Sequence, residues 1–64
     1  MKIALDELTK AIKSDENIGF CLTCGEVAFD VEPDARNYTC ECCGAKMVFG
    51  AEEILIMEEY ETKN

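Results

Sequence analysis

Two copies of one cysteine motif constrain this 64-residue chain more than any other feature. The motif C-x-x-C-G occupies residues 21–25 and again residues 40–44, with fifteen residues between the two cysteine pairs. A tetrahedral Zn²⁺ takes four soft donors at about 2.3 Å, and two intervening residues let one tight turn deliver two thiolates. The sequence therefore predicts one structural zinc site, with the four ligands Cys21, Cys24, Cys40 and Cys43.

The glycine after each cysteine pair has a predicted conformational role. Once a turn folds around a metal ion, the next residue is often driven to a positive φ angle, which glycine adopts without steric cost. We expect this of Gly25 and Gly44. Backbone N–H groups in such a turn can then point at the thiolate sulfurs and spread their charge.

Two other uses of the cysteines fit the sequence less well. A disulfide framework needs an oxidising compartment, and five cysteines leave one unpaired. A thioredoxin-type redox pair would start a helix in a βαβ unit, for which the chain is too short. The fifth thiol, Cys42, lies inside the second motif where Thr23 lies in the first. We expect a spectator thiol there; redox sensing or metal exchange is the alternative.

Size and charge limit the class of protein. A chain of 7.1 kDa fits one small domain, and for a core this small we expect a staple, of which the five cysteines are the obvious source. Fourteen acidic against six basic residues give a net charge of −8, which disfavours binding to nucleic acid and to anionic membranes. The sequence has no membrane-span pattern and no apolar h-region near its start, so we expect a cytoplasmic protein.

The remaining sequence predicts a small metal-stapled α+β fold. Residues 1–14 carry an apolar stripe at helical spacing, formed by Met1, Ala4, Leu5, Leu8, Ala11 and Ile12. Short strands are expected at residues 18–20, 26–31, 38–39 and 46–49, with a turn at residues 32–37. Residues 51–60 favour a helix, although the apolar run at residues 54–57 is also compatible with a strand. We expect residues 61–64 to fray.

Residues 18–50 resemble a zinc ribbon, in which two C-x-x-C-G knuckles on β-hairpins clamp one zinc ion. The resemblance implies the same four ligands, Cys21, Cys24, Cys40 and Cys43. Rubredoxin-like domains share this layout and hold iron. Several of them have an aromatic residue after the first knuckle and a proline inside the second, where this chain has Glu26 and Glu41-Cys42.

A closer likeness is to short uncharacterised zinc-ribbon proteins of bacteria and their phages. The shared stretches are G-F-C-x-x-C-G, V-E-P-D-A-R-x-Y-x-C-x-x-C-G and a block similar to G-A-E-E-L. They correspond to residues 19–25, 31–44 and 50–55 of this chain. The likeness implies the fold and the metal, but no activity.

No catalytic constellation is visible in the sequence. The chain has no histidine, and four cysteine ligands fill every zinc position, so we expect no enzyme activity. The leading hypothesis is a zinc-stabilised protein-interaction or regulatory module whose partner has a basic surface. The alternatives are a zinc ribbon associated with nucleic acid and a rubredoxin-like iron electron carrier. The candidate partner contacts are Asp30, Glu32, Asp34, Glu52, Glu53, Glu58 and Glu59.

The sequence also makes three predictions about side-chain packing. Arg36 should pair with Glu32, Asp34 or a glutamate at 52–53 rather than contact a ligand. Phe29 and Tyr38 are expected in the core. The stripe of residues 5–12 should pack against the apolar run 54–57, either within one chain or across a homodimer.

Overall fold

The described part of the chain is a small α+β fold. The computed structural model describes residues 2–14 and 16–62, and Met1 of the predicted apolar stripe lies outside them. The elements in chain order are β1 (Ile3–Ala4), α1 (Leu5–Lys13), β2 (Ile18–Cys21), β3 (Val27–Phe29), β4 (Val48–Gly50), α2 (Ala51–Met57) and β5 (Tyr60–Glu61). No helix within these residues is long and apolar enough to cross a membrane.

A three-stranded antiparallel sheet in the order β3-β2-β4 forms the centre of the fold. Neighbouring residues of a strand point to opposite faces, so Phe20 and Cys21 of β2 enter different clusters. The helix-side cluster contains Ile3, Leu8, Ala11, Phe20, Leu22, Phe49, Ala51 and Ile54. The cysteine-side cluster contains Cys21, Val31, Ala35, Cys40 and Val48. The sheet thus separates an apolar core from the region of the cysteines.

Helix α1 packs one face against the sheet and α2. Asp6 and Glu7 lie in its first turn and two lysines in its last turn, as the helix dipole favours. Leu8 is fully buried and lies in one cluster with Ile54 of α2. The predicted packing of the stripe against the apolar run therefore occurs within one chain. Leu55 and Ile56 of that run are exposed.

The two ends of the described chain are joined by a parallel strand pair. Ile3 pairs with Tyr60 and Ala4 with Glu61, so the structure differs from the predictions of a helix from residue 1 and a frayed residue 61. Helix α2 ends at Met57, and Glu58 takes a left-handed conformation with φ 60° that turns the chain back towards β1. The paired residues are almost sixty positions apart, so no local periodicity in the sequence predicts this pairing.

The loop after β3 caps helix α2 with its backbone. The N–H of Glu53 donates to the Pro33 carbonyl and the N–H of Gly50 to the Ala35 carbonyl, both at 3.0 Å. The Arg36 guanidinium lies 2.8 Å from the Glu53 carboxylate, which confirms the predicted ion pair. The Pro33 and Ala35 carbonyls supply the helix start with acceptors that no side chain provides.

A one-residue bulge ends strand β3. Phe29 lies opposite Ile18, so Asp30 would face Asn17 in a regular ladder. Instead the N–H of Val31 donates to the Asn17 carbonyl, and Asp30 takes a φ of 60°. The extra residue moves Val31 to the cysteine face, whereas Phe29 stays on the other face at the sheet edge.

The predicted core positions of the two central aromatic residues are wrong. Phe29 is 63% exposed and Tyr38 is 41% exposed. Phe29 is exposed because β3 lies at the edge of the sheet, where no further strand of the described residues covers its side chain. Tyr38 forms an isolated bridge with Val48 at the far edge of the sheet. There its hydroxyl donates to the Glu32 carboxylate at 2.5 Å.

Candidate metal centre

Four cysteine sulfurs meet at one end of the sheet. The Sγ atoms of Cys21, Cys24, Cys40 and Cys43 all lie within 4.8 Å of one another. The Cys21–Cys43 and Cys24–Cys40 sulfur pairs are each 3.7 Å apart. A tetrahedron with metal–sulfur bonds of 2.3 Å has edges of about 3.8 Å. The chain therefore brings together the four predicted ligands with a spacing that fits a tetrahedral metal ion.

The two cysteine turns are near copies of each other. In the first, the N–H groups of Thr23 and Cys24 point at Cys21 Sγ, at 3.4 and 3.5 Å. In the second, the N–H groups of Cys42 and Cys43 point at Cys40 Sγ, at 3.3 and 3.4 Å. Each turn thus directs two backbone donors at its first sulfur, the arrangement that stabilises a metal-bound thiolate.

Both glycines adopt the predicted left-handed conformation. Gly25 has a φ of 80° and Gly44 a φ of 78°. The N–H of each glycine donates to the carbonyl of the first cysteine in its turn, at 2.8 Å for Gly25 and 2.9 Å for Gly44. The positive φ closes the turn, so that the first and fourth residues present their sulfurs on one side.

Burial differs between the two positions of each turn. Cys21 and Cys40, the first positions, are buried, whereas Cys24 and Cys43, the second positions, are exposed. Cys21 belongs to β2, and Cys40 follows the bridge between Tyr38 and β4. Each buried cysteine is therefore fixed by the sheet and each exposed one by a turn.

In the absence of a cation, the four neighbouring thiols shift the pKa values of one another. Burial acts to raise the pKa of Cys21, but the N–H groups of Cys24 and Thr23 and the neighbouring thiols outweigh it and lower that pKa to about 6. A backbone N–H at Glu26 acts to lower the pKa of Cys24, but desolvation and the adjacent thiols outweigh it and raise that pKa to about 12. Four thiolates this close together need a cation, which fits the donor set to a metal ion.

Cys42 lies outside the sulfur cluster. Its side chain is exposed, and only its backbone N–H contributes to the site, through Cys40 Sγ. The corresponding residue of the first turn, Thr23, plays the same backbone part. The fifth thiol is thus not a ligand in this arrangement.

The acidic residues predicted as partner contacts separate into two groups. Glu53 is 5% exposed and paired with Arg36, so it faces the interior and is not available to a partner. Asp30, Glu32, Asp34, Glu52 and Glu58 are exposed, and Glu59 is half-buried. The sequence does not indicate which of the adjacent residues Glu52 and Glu53 is buried, because their side chains are chemically identical.

Comparison of the chain with family models, curated proteins and solved structures finds no match. The class of site that the geometry defines is a four-cysteine metal-binding site on a small α+β scaffold.

Proposed function

We propose that this chain is a non-enzymatic protein-interaction module, held together by one structural zinc ion and acting through its acidic surface on a basic protein. The observation that carries the proposal is the cluster of four sulfurs within 4.8 Å of one another. Four thiolates complete a tetrahedral shell and leave no position for substrate or water. A zinc ion bound in this way stabilises a fold and performs no reaction.

The charge of the metallated chain supports a basic partner. Four thiolates add four negative charges to the formal −8 and Zn²⁺ returns two, giving about −10 on 64 residues. The two cations of residues 20–50 are Arg36 and Lys46, and Arg36 is engaged by Glu53. A phosphate-binding groove needs several free cations, whereas a basic protein surface is attracted by this balance.

Native mass spectrometry tests the metal part of the proposal. We expect one zinc per chain in the wild type and in Cys42→Ser, and loss of zinc in Cys24→Ser. The two variants form a matched pair, because each removes one exposed thiol of the cysteine turns. Retention of zinc by Cys24→Ser together with loss in Cys42→Ser would show that the ligand set is wrong. A red protein with a bound iron mass would identify an electron carrier instead.

Removal of the metal tests its structural role. Zinc binding contributes about 10–16 kcal/mol to small domains at neutral pH, which exceeds the stability of most of them. Treatment with a chelator should therefore collapse the dispersed amide NMR signals of residues 18–50, and zinc should restore them. A metal-free protein with a native spectrum would contradict a structural metal.

Two binding assays test the partner class. Titration with duplex and single-stranded oligonucleotides at physiological salt should show no tight binding. Affinity capture at about 50 mM salt should retain a basic protein that is released at about 500 mM, where the Debye length is shorter. Tight oligonucleotide binding would overturn the protein-partner proposal in favour of the nucleic-acid class.

A further inference from the structure

Strand β3 is an open edge of the central sheet. Among the described residues it pairs with β2 alone, since the strand order is β3-β2-β4. The bond from the N–H of Cys21 to the Glu26 carbonyl fixes which residues of β3 bond inward. Glu26 and Ala28 direct their backbone groups to β2, so Val27 and Phe29 direct theirs outward. This edge therefore presents two N–H and two C=O groups to an incoming strand.

Apolar side chains mark the same edge. Val27 is 39% exposed and Phe29 is 63% exposed. Protein sheets usually protect an open edge by charged side chains, bulges or a covering segment, because free backbone beside apolar side chains attracts other strands. Here the bulge at Asp30 limits the edge to about three residues but does not cover it.

An open groove runs beside β3 on the cysteine face of the sheet. It has a volume of about 650 Å³ and lies between β3 and residues 38–42. Its acidic lining residues are Glu26, Asp30 and Glu41, and no lysine or arginine lines it among the described residues. A segment paired with β3 would place alternate side chains over this groove, next to carboxylates.

Charge disfavours a second copy of this chain as the occupant. In an antiparallel pair of two β3 edges centred on Ala28, Glu26 of each copy would face Asp30 of the other. Like charges directly opposite each other destabilise strand pairing. A strand with lysine or arginine at these positions would instead form two opposite-charge pairs.

We propose that β3 and the adjacent groove bind an extended segment of a partner protein in which apolar and basic residues alternate. The segment adds to the sheet as a fourth strand, with its apolar side chains on Val27 and Phe29 and its cations over the groove. This inference rests on the proposed function and names the site and the shape of the partner. The short edge predicts a weak, salt-sensitive interaction, in the class of transient contacts that bury less than about 1,200 Å².

The test is an NMR titration of the zinc-loaded ¹⁵N-labelled protein with three synthetic peptides. The probe is acetylated Lys-Val-Lys-Val-Lys amide. One control replaces valine by glycine and keeps the charge, and the other replaces lysine by glutamate. We expect the probe to shift the amide signals of residues 26–30 and 38–42, and each control peptide to bind at least tenfold more weakly.

Matched variants locate the site. Phe29→Thr keeps a β-favouring residue and Glu26→Gln keeps the shape, so both should fold. Phe29→Thr should weaken the probe about fivefold. Glu26→Gln should weaken it about two- to fivefold, since exposed charge pairs are weak. Ile56→Thr and Glu52→Gln make similar changes at exposed positions of α2 and should alter the affinity less than twofold. Equal binding by Phe29→Thr, or an equally tight glycine control, would overturn the inference.

Other outcomes separate this inference from the proposed function. Probe-induced shifts confined to α2 would refute the β3 site but would still be compatible with the proposed basic partner. Concentration-dependent shifts of residues 26–30 without peptide would assign the edge to a second copy. Absence of binding by the probe at about 2 mM, a concentration that would detect even a Kd of about 1 mM, would refute the β3 site. Salt-sensitive capture of a basic protein would still support the proposed function.

Discussion

Substitution of Gly50 by alanine should destabilise the fold, although its backbone conformation suits alanine. Gly50 has φ −65° and ψ 154°, an extended conformation that any residue adopts. If conformational entropy alone mattered, the substitution would stabilise the protein by about 0.4–1 kcal/mol. A β-carbon at Gly50, however, would overlap the backbone carbonyl oxygens of Glu32 and Pro33. Backbone atoms cannot rotate away as a flexible side chain can.

The magnitude follows from the contacts that the loop would lose. Overpacking of a tight site costs about 1–3 kcal/mol. Displacement of the loop also weakens two hydrogen bonds, from Gly50 to Ala35 and from Glu53 to Pro33, each contributing about 1 kcal/mol. After the entropic gain is subtracted, we expect a net destabilisation of about 2–4 kcal/mol. For a domain of this size that lowers Tm by about 10–30 °C.

Thermal unfolding followed by circular dichroism, at one fixed excess of zinc, measures this effect. Gly44→Ala is the matched control, because a β-carbon there meets nothing within 4 Å and is disfavoured only by the φ of 78°. That strain costs about 1–2 kcal/mol. A Tm of Gly50→Ala equal to or above that of the wild type would refute the contact between the loop and α2.

Three further predictions address other contacts. Arg36→Met should lower the free energy of unfolding by about 1–3 kcal/mol, because it leaves the buried carboxylate of Glu53 without its partner; an unchanged denaturation midpoint would contradict this. The hydrogen bond from the Tyr38 hydroxyl lowers the pKa of Glu32. This hydrogen bond therefore stabilises the fold fully above the ordinary glutamate pKa near 4.5, and the stabilisation is lost as the pH falls through the lowered pKa of Glu32. Tyr38→Phe should raise the pKa of Glu32 in a carboxyl ¹³C titration, and an unshifted curve would refute the bond. Leu8→Ala should cost about 2–4 kcal/mol in chemical denaturation, since that side chain is fully buried; a loss below 1 kcal/mol would contradict its burial.

The sulfur cluster was predictable from the sequence because its chemistry is local. Two residues between thiols and a glycine after them define each turn without reference to the rest of the fold. The left-handed Gly25 and Gly44 and the N–H groups aimed at sulfur follow from that turn alone. The packing of Leu8 against Ile54 was also accessible, through the helical spacing of the apolar stripe.

Contacts between distant segments were not predictable in this way. The pairing of Ile3 with Tyr60 needs two residues at opposite ends of the chain, and neither has a local signature of pairing. The bulge at Asp30 moves Val31 to the buried cysteine face, whereas Val27 and Phe29 of the same alternating segment remain exposed at the sheet edge. Aspartate tolerates a positive φ better than most residues do, but that tendency is too weak to place a bulge.

The proposed metal staple would explain how so small a chain can leave apolar residues at an open sheet edge. In a 64-residue domain without a staple, exposure of Val27 and Phe29 would be costly, since each side chain contributes about 1.5–3 kcal/mol when buried. The proposed zinc ion, held by the four cysteines at the ends of the two turns, would supply several times that amount. The fold then does not depend on β3 for its core. Exposed apolar residues flanked by Glu26 and Asp30 remain available for a partner whose charge complements them.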